Sequence, residues 1–173
     1  MADSRAATWP GWFFEERKSV IMEFNDESTD GNLITGFTVS DASFGVDARL
    51  VLEVVKVGDL TQVHGAPRDV VGIRNLRGRI VTVVDMATHL GLGSVEIGPD
   101  SRLLIMESHG ESFGFLVEAV TDALSIELSG LGTPPASLDP VLRGRLLGVW
   151  REGERLTAVL DPAVLFRWEE SAA

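Results

Sequence analysis

Three arginines crowd one short run of an acidic chain, Arg74, Arg77 and Arg79 in "GIRNLRGRIVTVVD". A guanidinium offers five donors in a rigid fork, so its chemistry is the recognition of carboxylates, carbonyls and phosphates rather than proton transfer. Arg77-Gly78 reads as the turn before an apolar strand, and a turn asks for glycine, not for a cation beside it. A solvated turn arginine contributes little. Beside a crevice it orders a carboxylate partner, fixes the crevice or holds an incoming chain, and Glu53 is the candidate carboxylate for Arg77.

Other chemistry finds little support. His64, His89 and His109 are scattered, with no H-E-x-x-H or similar ligand pair. There is no cysteine, hence no thiolate metal site, thiol nucleophile or disulfide framework. No G-x-S-x-G elbow occurs, and Ser108-His109 reads as a hairpin end. "GLGSVEIG" lacks the lysine of a phosphate loop. Asp85 and Asp161 form a pair one could assign to an aspartic dyad. They stand in "DMA" and "DPA", without the D-T-G or D-S-G turn that supports one. Each follows an apolar strand and precedes "MATHL" or "PAVLF", so each is expected to cap a short helix, Pro162 taking the first helical position.

The elements that must position these residues are mostly β. "LITGFTVS" and "ASFGVD" are expected as strands around a turn at Ser40-Asp41, and "RLLIMES" and "SFGFLVEAV" as strands around His109-Gly110-Glu111. "LLGVWREGERLTAVLD" reads as a hairpin about Glu152-Gly153. In "DARLVLEVV", Ala48, Val51, Val54 and Val55 recur at helical spacing and predict a helical turn carrying Glu53. Ahead of these, Trp12 to Phe24 reads as a helix with one apolar face and Asn25 to Asn32 as a polar loop. Either that helix docks on its own domain, or the aromatic run Trp9 to Phe14, which overlaps its start, docks on a partner.

The chain also repeats itself. "FGVDARLVLEVVKV" lies on "FGFLVEAVTDALSI", aligning Phe44 with Phe113, Gly45 with Gly114, Glu53 with Asp122 and Val57 with Ile126. "GIRNLRGRIVTVVDMATHL" lies on "GVWREGERLTAVLDPAVLF" without a gap, aligning Gly72 with Gly148, Val83 with Val159 and Asp85 with Asp161. Both pairs occur in the same order, which predicts two units of strand, helical turn, hairpin and short helix. Two such units predict two lobes of small antiparallel sheets, closed or packed to manage their edges.

Composition bounds the partners. A formal charge of −11 disfavours a sequence-independent hold on nucleic acid and an anionic membrane surface. No apolar run nears the roughly 20 residues that span a bilayer, and "MADSRAATWPGWFFEERK" lacks a secretory apolar core. A cytoplasmic globular protein is the expectation.

With these residues in place, the run from Phe44 to Leu92 resembles the characteristic region of the CheW family of chemotaxis coupling proteins. The matching parts are Phe44-Gly45, Val51-Leu52-Glu53-Val54, Ala66-Pro67, Gly72 to Gly78 with its N-L-R-G, Val83-Val84-Asp85 and Leu90-Gly91-Leu92. "FGFLVEAVTDALSI" matches the family's second half, so the likeness covers about residues 33 to 168. Residues 1–32 would be an extension and 169–173 a tail.

The resemblance implies an all-β fold of two packed, five-stranded SH3-like barrels with short helices. It implies a non-catalytic, cofactor-free adaptor joining methyl-accepting chemoreceptor tips to a CheA-type histidine kinase, with other CheW-like proteins as further partners. The receptor groove would be bordered by Val51, Glu53, Asn75, Leu76 and Arg77; no motif places the kinase contacts. The chain departs from the family at Thr82, commonly proline, and at Met86-Ala87, often leucine-arginine. The rivals are a paralogue that binds kinase or array without a receptor, the kinase's own regulatory domain of the same fold, and a β-barrel enzyme.

Overall fold

The computed structural model describes residues 32–167. The expected helix at Trp12–Phe24 and all of the expected loop except Asn32, which opens the first strand, lie outside them. The strands are β1 (Asn32–Val39), β2 (Ala42–Asp47), β3 (Glu53–Lys56), β4 (Val70–Leu76), β5 (Arg79–Asp85), β6 (Arg102–Ser108), β7 (Glu111–Val117), β8 (Ala119–Ile126), β9 (Leu146–Glu152) and β10 (Arg155–Leu160). Three one-turn helices follow strands or loops: α1 (Met86–His89), α2 (Pro140–Arg143) and α3 (Pro162–Leu165). The chain is mainly β, in two five-stranded sheets, as the alternating apolar runs predict.

One sheet runs β8-β1-β2-β10-β9 and the other β3-β6-β7-β5-β4. Exchanging β1 to β5 with β6 to β10 turns one order into the other, so the repeat is a property of the fold. Its registers agree as well. Ala158 and Val159 pair in parallel with Phe44 and Gly45, and the aligned Thr82 and Val83 pair with Phe113 and Gly114.

Two expectations are corrected here. Each repeat does not make its own lobe: it gives two strands to one sheet and three to the other, so the halves are interlocked. Each sheet also contains one parallel pair, β2 with β10 and β5 with β7, a consequence of that exchange. For the same reason "SFGFLVEAV" is not one strand. It breaks at Glu118, where the chain leaves one sheet for the other, and Glu118 is held there by Thr38 and Ser40.

A further correction concerns "DARLVLEVV". Only Ala48–Leu50 is helical, a 3-10 turn capped by the Asp47 carboxylate, and Glu53, Val54 and Val55 lie in β3. A spacing of three and four over so few residues nucleates no stable helix. The β-branched Val54-Val55 pair packs better on a pleated surface, and Leu52 already donates to the Ile105 carbonyl of β6.

The main core runs through both sheets, from Phe37, Phe44 and Val46 to Val81, Val83, Leu103, Phe115 and Leu160. A β-bulge between Thr35 and Phe37 lets β1 serve two interiors. Ile34 points into a small cluster with Ile126 and Val159, while Phe37 and Val39 enter the main core.

The sheets close on themselves by a shared device. The segment after each edge strand returns to bridge the opposite edge, Thr61 to Ile73 in one and Gly132 to Val149 in the other. Asp85 and Asp161 cap α1 and α3 as expected, accepting from the Thr88 and Ala163 amides.

The aligned glycines make the duplication testable. A Cβ at Gly45 would overlap the Ile34 methyl, whereas one at Gly114 would meet Val81, Ile105 and Leu103 side chains at 3.2 to 3.4 Å. Gly45→Ala is therefore expected to lose about 1–3 kcal/mol to overpacking. Gly114→Ala should lose under about 1 kcal/mol, its crowding offset by the lower strand cost of alanine. Equal denaturant midpoints for the two variants would contradict this difference between the sheets.

Candidate functional site

The hairpin between β4 and β5 turns at Arg77-Gly78, with φ values of 53° and 83°. Two positive φ values are the geometry of a type I′ turn, which asparagine or glycine fills without strain. Gly78 fits it. Arg77 does not: a side chain with a Cβ pays about 1–2 kcal/mol in the left-handed region. Asn75 supports the turn by accepting the Gly78 amide at 2.8 Å.

Arg77 reaches across to β3, its Nη1 lying 3.3 and 3.2 Å from the two Glu53 carboxylate oxygens. The structure thus brings together the pair that sequence reading matched, although Glu53 arrives on a strand. The Arg77 side chain is 75% exposed and that of Glu53 34%, so the pair stands at the protein surface. An exposed pair of this kind is worth about 0–1 kcal/mol. It does not outweigh the backbone cost of placing arginine there.

The other two arginines are not mere flanking charges. Arg74 Nη1 donates to the carbonyls of Lys56 and of Val57, the latter at 2.8 Å, tying β4 to the end of β3. Arg79 Nη1 lies 3.7 Å from Glu107 on β6. Arg74 and Arg77 therefore join the β4 edge to β3 at the opposite edge and help to close the sheet, whereas Arg79 reaches past β7 to β6. At the position aligned with Arg74 the second repeat has Trp150, whose ring lies 2.7 Å from the point a Cβ on Gly130 would occupy.

Val51 and Leu76 are half-buried and pack against the main core, so they set the level of the surface rather than project from it. The projecting apolar groups are others. Leu52 and Val54 stand on the outward side of β3, and Ile80 lies opposite Asn75 in the hairpin, all three exposed. Sequence reading passed over them because each sits in an apolar run that looks like core. Leu52 and Val54 alternate with Glu53 along the extended chain, so they lie on the face opposite its side chain.

One polar cluster escaped the sequence reading. His89 on α1 is buried, with Nδ1 2.6 Å from Asp69 Oδ2 and Nε2 2.7 Å from the Leu165 carbonyl on α3. Arg145 Nη1 lies 3.2 Å from the same Nε2 and also meets the Val164 and Arg167 carbonyls. Laid on the repeat, His89 aligns with Leu165 and Asp69 with Arg145, so the cluster straddles the axis relating the halves. Its members are far apart in sequence, and only the repeat alignment could have suggested that they meet. Among the described residues no group of three or more side chains is arranged to hold a metal.

The turn geometry yields a test of what Arg77 is for. Arg77→Asn is expected to leave stability unchanged or to raise it by up to about 1 kcal/mol, since asparagine relieves the left-handed strain. Urea unfolding measures this. A loss well above 1 kcal/mol would show that the ion pair stabilises the fold.

Comparison with known proteins places the whole arrangement. Residues 34–170 match the family model described as CheW-like domain. The chain is 25% identical over 148 residues to "Chemotaxis protein CheW" of Helicobacter pylori, covering 85% of this chain and 89% of that one. It is 31% identical over 113 residues to "Protein FrzA" of Myxococcus xanthus, covering 65% and 70%. The crystal structure of the scaffolding protein TtCheW from Thermoanaerobacter tengcongensis superposes with a TM-score of 0.71 at 26% identity, over 83% of this chain and 93% of that one.

Proposed function

Because this chain belongs to the CheW-like domain family, its match running over residues 34–170, we propose that it is a non-catalytic adaptor of a bacterial chemosensory system, bridging chemoreceptor tips and a CheA-type histidine kinase. The observation that carries the reading is the N-L-R-G hairpin. There an arginine is kept in a backbone conformation that disfavours it and is aimed by Glu53 at the surface. Strain of this kind at an exposed residue points to binding rather than to folding.

In this reading Val51, Glu53, Asn75, Leu76 and Arg77 form the receptor side. The adaptor acts by differential affinity. A receptor movement shifts the kinase between two states by no more than the bridge's difference in affinity for them. Modest contacts suffice, because clustered receptors raise the effective concentration of every second binding event. The working compartment is the cytoplasmic face of the receptor array. Among the described residues no helix is long and apolar enough to cross a membrane.

The departures at Met86 and Ala87 do not touch the proposed receptor surface. Both side chains are wholly buried, so that difference is one of core packing.

The reading is tested by tagging the full chain in the cells that make it, cross-linking and identifying what co-purifies. A CheA-type kinase together with a methyl-accepting receptor is the expected result. Recovery of kinase without receptor would overturn the bridging and leave a competitor for the kinase.

A further inference from the structure

β3 and β4 are the two edges of one five-stranded sheet, and the order β3-β6-β7-β5-β4 puts no ladder between them. Glu53 stands on one edge and Arg77 just beyond the other, so their meeting depends on how the edges are brought together. The contacts across this seam run in antiparallel order. Thr61 and Ile73 exchange backbone bonds of 2.9 and 2.8 Å, Arg74 reaches the Lys56 and Val57 carbonyls, and Arg77 reaches Glu53. The Glu53 pair is exposed and too weak to hold the edges, and the Thr61 bridge lies at the far end of the seam. Arg74 stands between them.

Its seat there is built from the backbone. One nitrogen, Nη1, donates to both carbonyls, at 2.8 Å to Val57. The side chain thus does across the seam what backbone amides do within a ladder. Gly58 follows with a φ of 63°, and a Cβ on it would lie 2.9 Å from Arg74 Cζ. Glycine takes the left-handed backbone there and also leaves room for the guanidinium.

The second barrel supplies the contrast. It has the same bridge, Gly132 with Val149, and the same preceding glycine, Gly148 aligned with Gly72. In place of Arg74 it has Trp150, whose ring lies against Gly130. In place of Glu53 and Arg77 it has Asp122 and Gly153, which cannot form an ion pair. An apolar ring seals a seam without setting how far one edge slides along the other. Hydrogen bonds from a charged donor are directional and do set it. The directed bonds are found in the barrel that has a charged pair to align.

We propose that Arg74 is a positioning residue: it fixes the register of β3 against β4 and so holds Glu53 opposite Arg77. The inference rests on the reading of this hairpin as the receptor surface, which Arg74 serves through Arg77.

Amide hydrogen exchange on the full-length protein, with no partner present, tests the seam. Arg74→Met keeps a long stem and removes the donors, and it should speed exchange of the Thr61 and Ile73 amides about tenfold while leaving the amides between β6 and β7 unchanged. Arg74→Lys, whose ammonium can donate to the same two carbonyls, should recover most of the protection. Unchanged exchange in Arg74→Met would overturn the proposal. So would uniform acceleration across both sheets, which is a global loss of stability rather than an opened seam.

Titration with a purified receptor signalling fragment tests what the seam is for. Arg74→Met should weaken binding about tenfold, but less than about twofold where Arg77→Asn is already present, because the two substitutions act on one contact. An equal loss in both backgrounds would show that Arg74 acts elsewhere and would also overturn it. Failure of the wild-type protein to bind the fragment would count against the receptor reading instead, and the exchange rates would still decide whether Arg74 sets the seam.

Discussion

His89→Ala is expected to destabilise the protein by about 3–5 kcal/mol, the largest loss of any single substitution considered. The imidazole is buried, and it bonds Asp69 on the loop before β4 at 2.6 Å and the Leu165 carbonyl on α3 at 2.7 Å. It therefore joins the closing helix of the first repeat to that of the second. Removing it strands a nearly buried carboxylate and a backbone carbonyl and leaves a cavity against Phe115, whose ring centroid lies 5.9 Å away.

The decisive comparison is a double-mutant cycle in urea with Asp69→Ala. If the cost of His89→Ala is mostly an unpartnered carboxylate, the second substitution should add little, and the coupling should reach about 2 kcal/mol. His89→Gln, which can still donate toward Asp69, should lose less than His89→Ala. A loss below about 1 kcal/mol for His89→Ala would mean that water re-satisfies the cluster and that the helices are joined by apolar packing alone.

The repeat made much of this fold readable before any coordinates. Phe44 on Phe113 and Val83 on Val159 anticipated that matching positions meet matching neighbours in both sheets, though not that those pairings are parallel. The alignment could not reveal which sheet each strand joins. Exchange between halves depends on where the chain crosses, at Asp47 and Glu118, and neither crossing is marked by glycine or proline. Glu53 was found as the partner of Arg77 on the wrong element, because Val51, Val54 and Val55 satisfy helical and strand patterns over so short a span. The strain at Arg77 was legible only as a residue out of place in a turn; the sign of φ gives it meaning. His89, Asp69 and Arg145 left no local signal, since their contact is made by the axis between the halves.

Arg77→Glu is expected to abolish most receptor association while leaving the fold within about 1 kcal/mol of wild type. Glutamate bears a left-handed backbone no better than arginine does, so the turn itself is little changed. The lost pair with Glu53 was exposed and weak, and two carboxylates at the surface can turn apart into solvent. Binding is another matter, since a reversed charge at the rim of an apolar contact repels whatever carboxylate the arginine recognised.

The exchanged variant Glu53→Arg/Arg77→Glu separates two explanations. If Arg77 serves only to hold the hairpin against β3, restoring an ion pair of opposite sense should restore binding. If the arginine itself contacts the receptor, the exchanged protein should fold like wild type and still fail to bind. Titration of a purified receptor signalling fragment, at two ionic strengths, reads both. The outcome expected is continued failure, with the wild-type affinity falling as salt rises. Rescue by the exchange would reduce Arg77 to a positioning residue and move the contact onto Val51, Asn75 and Leu76.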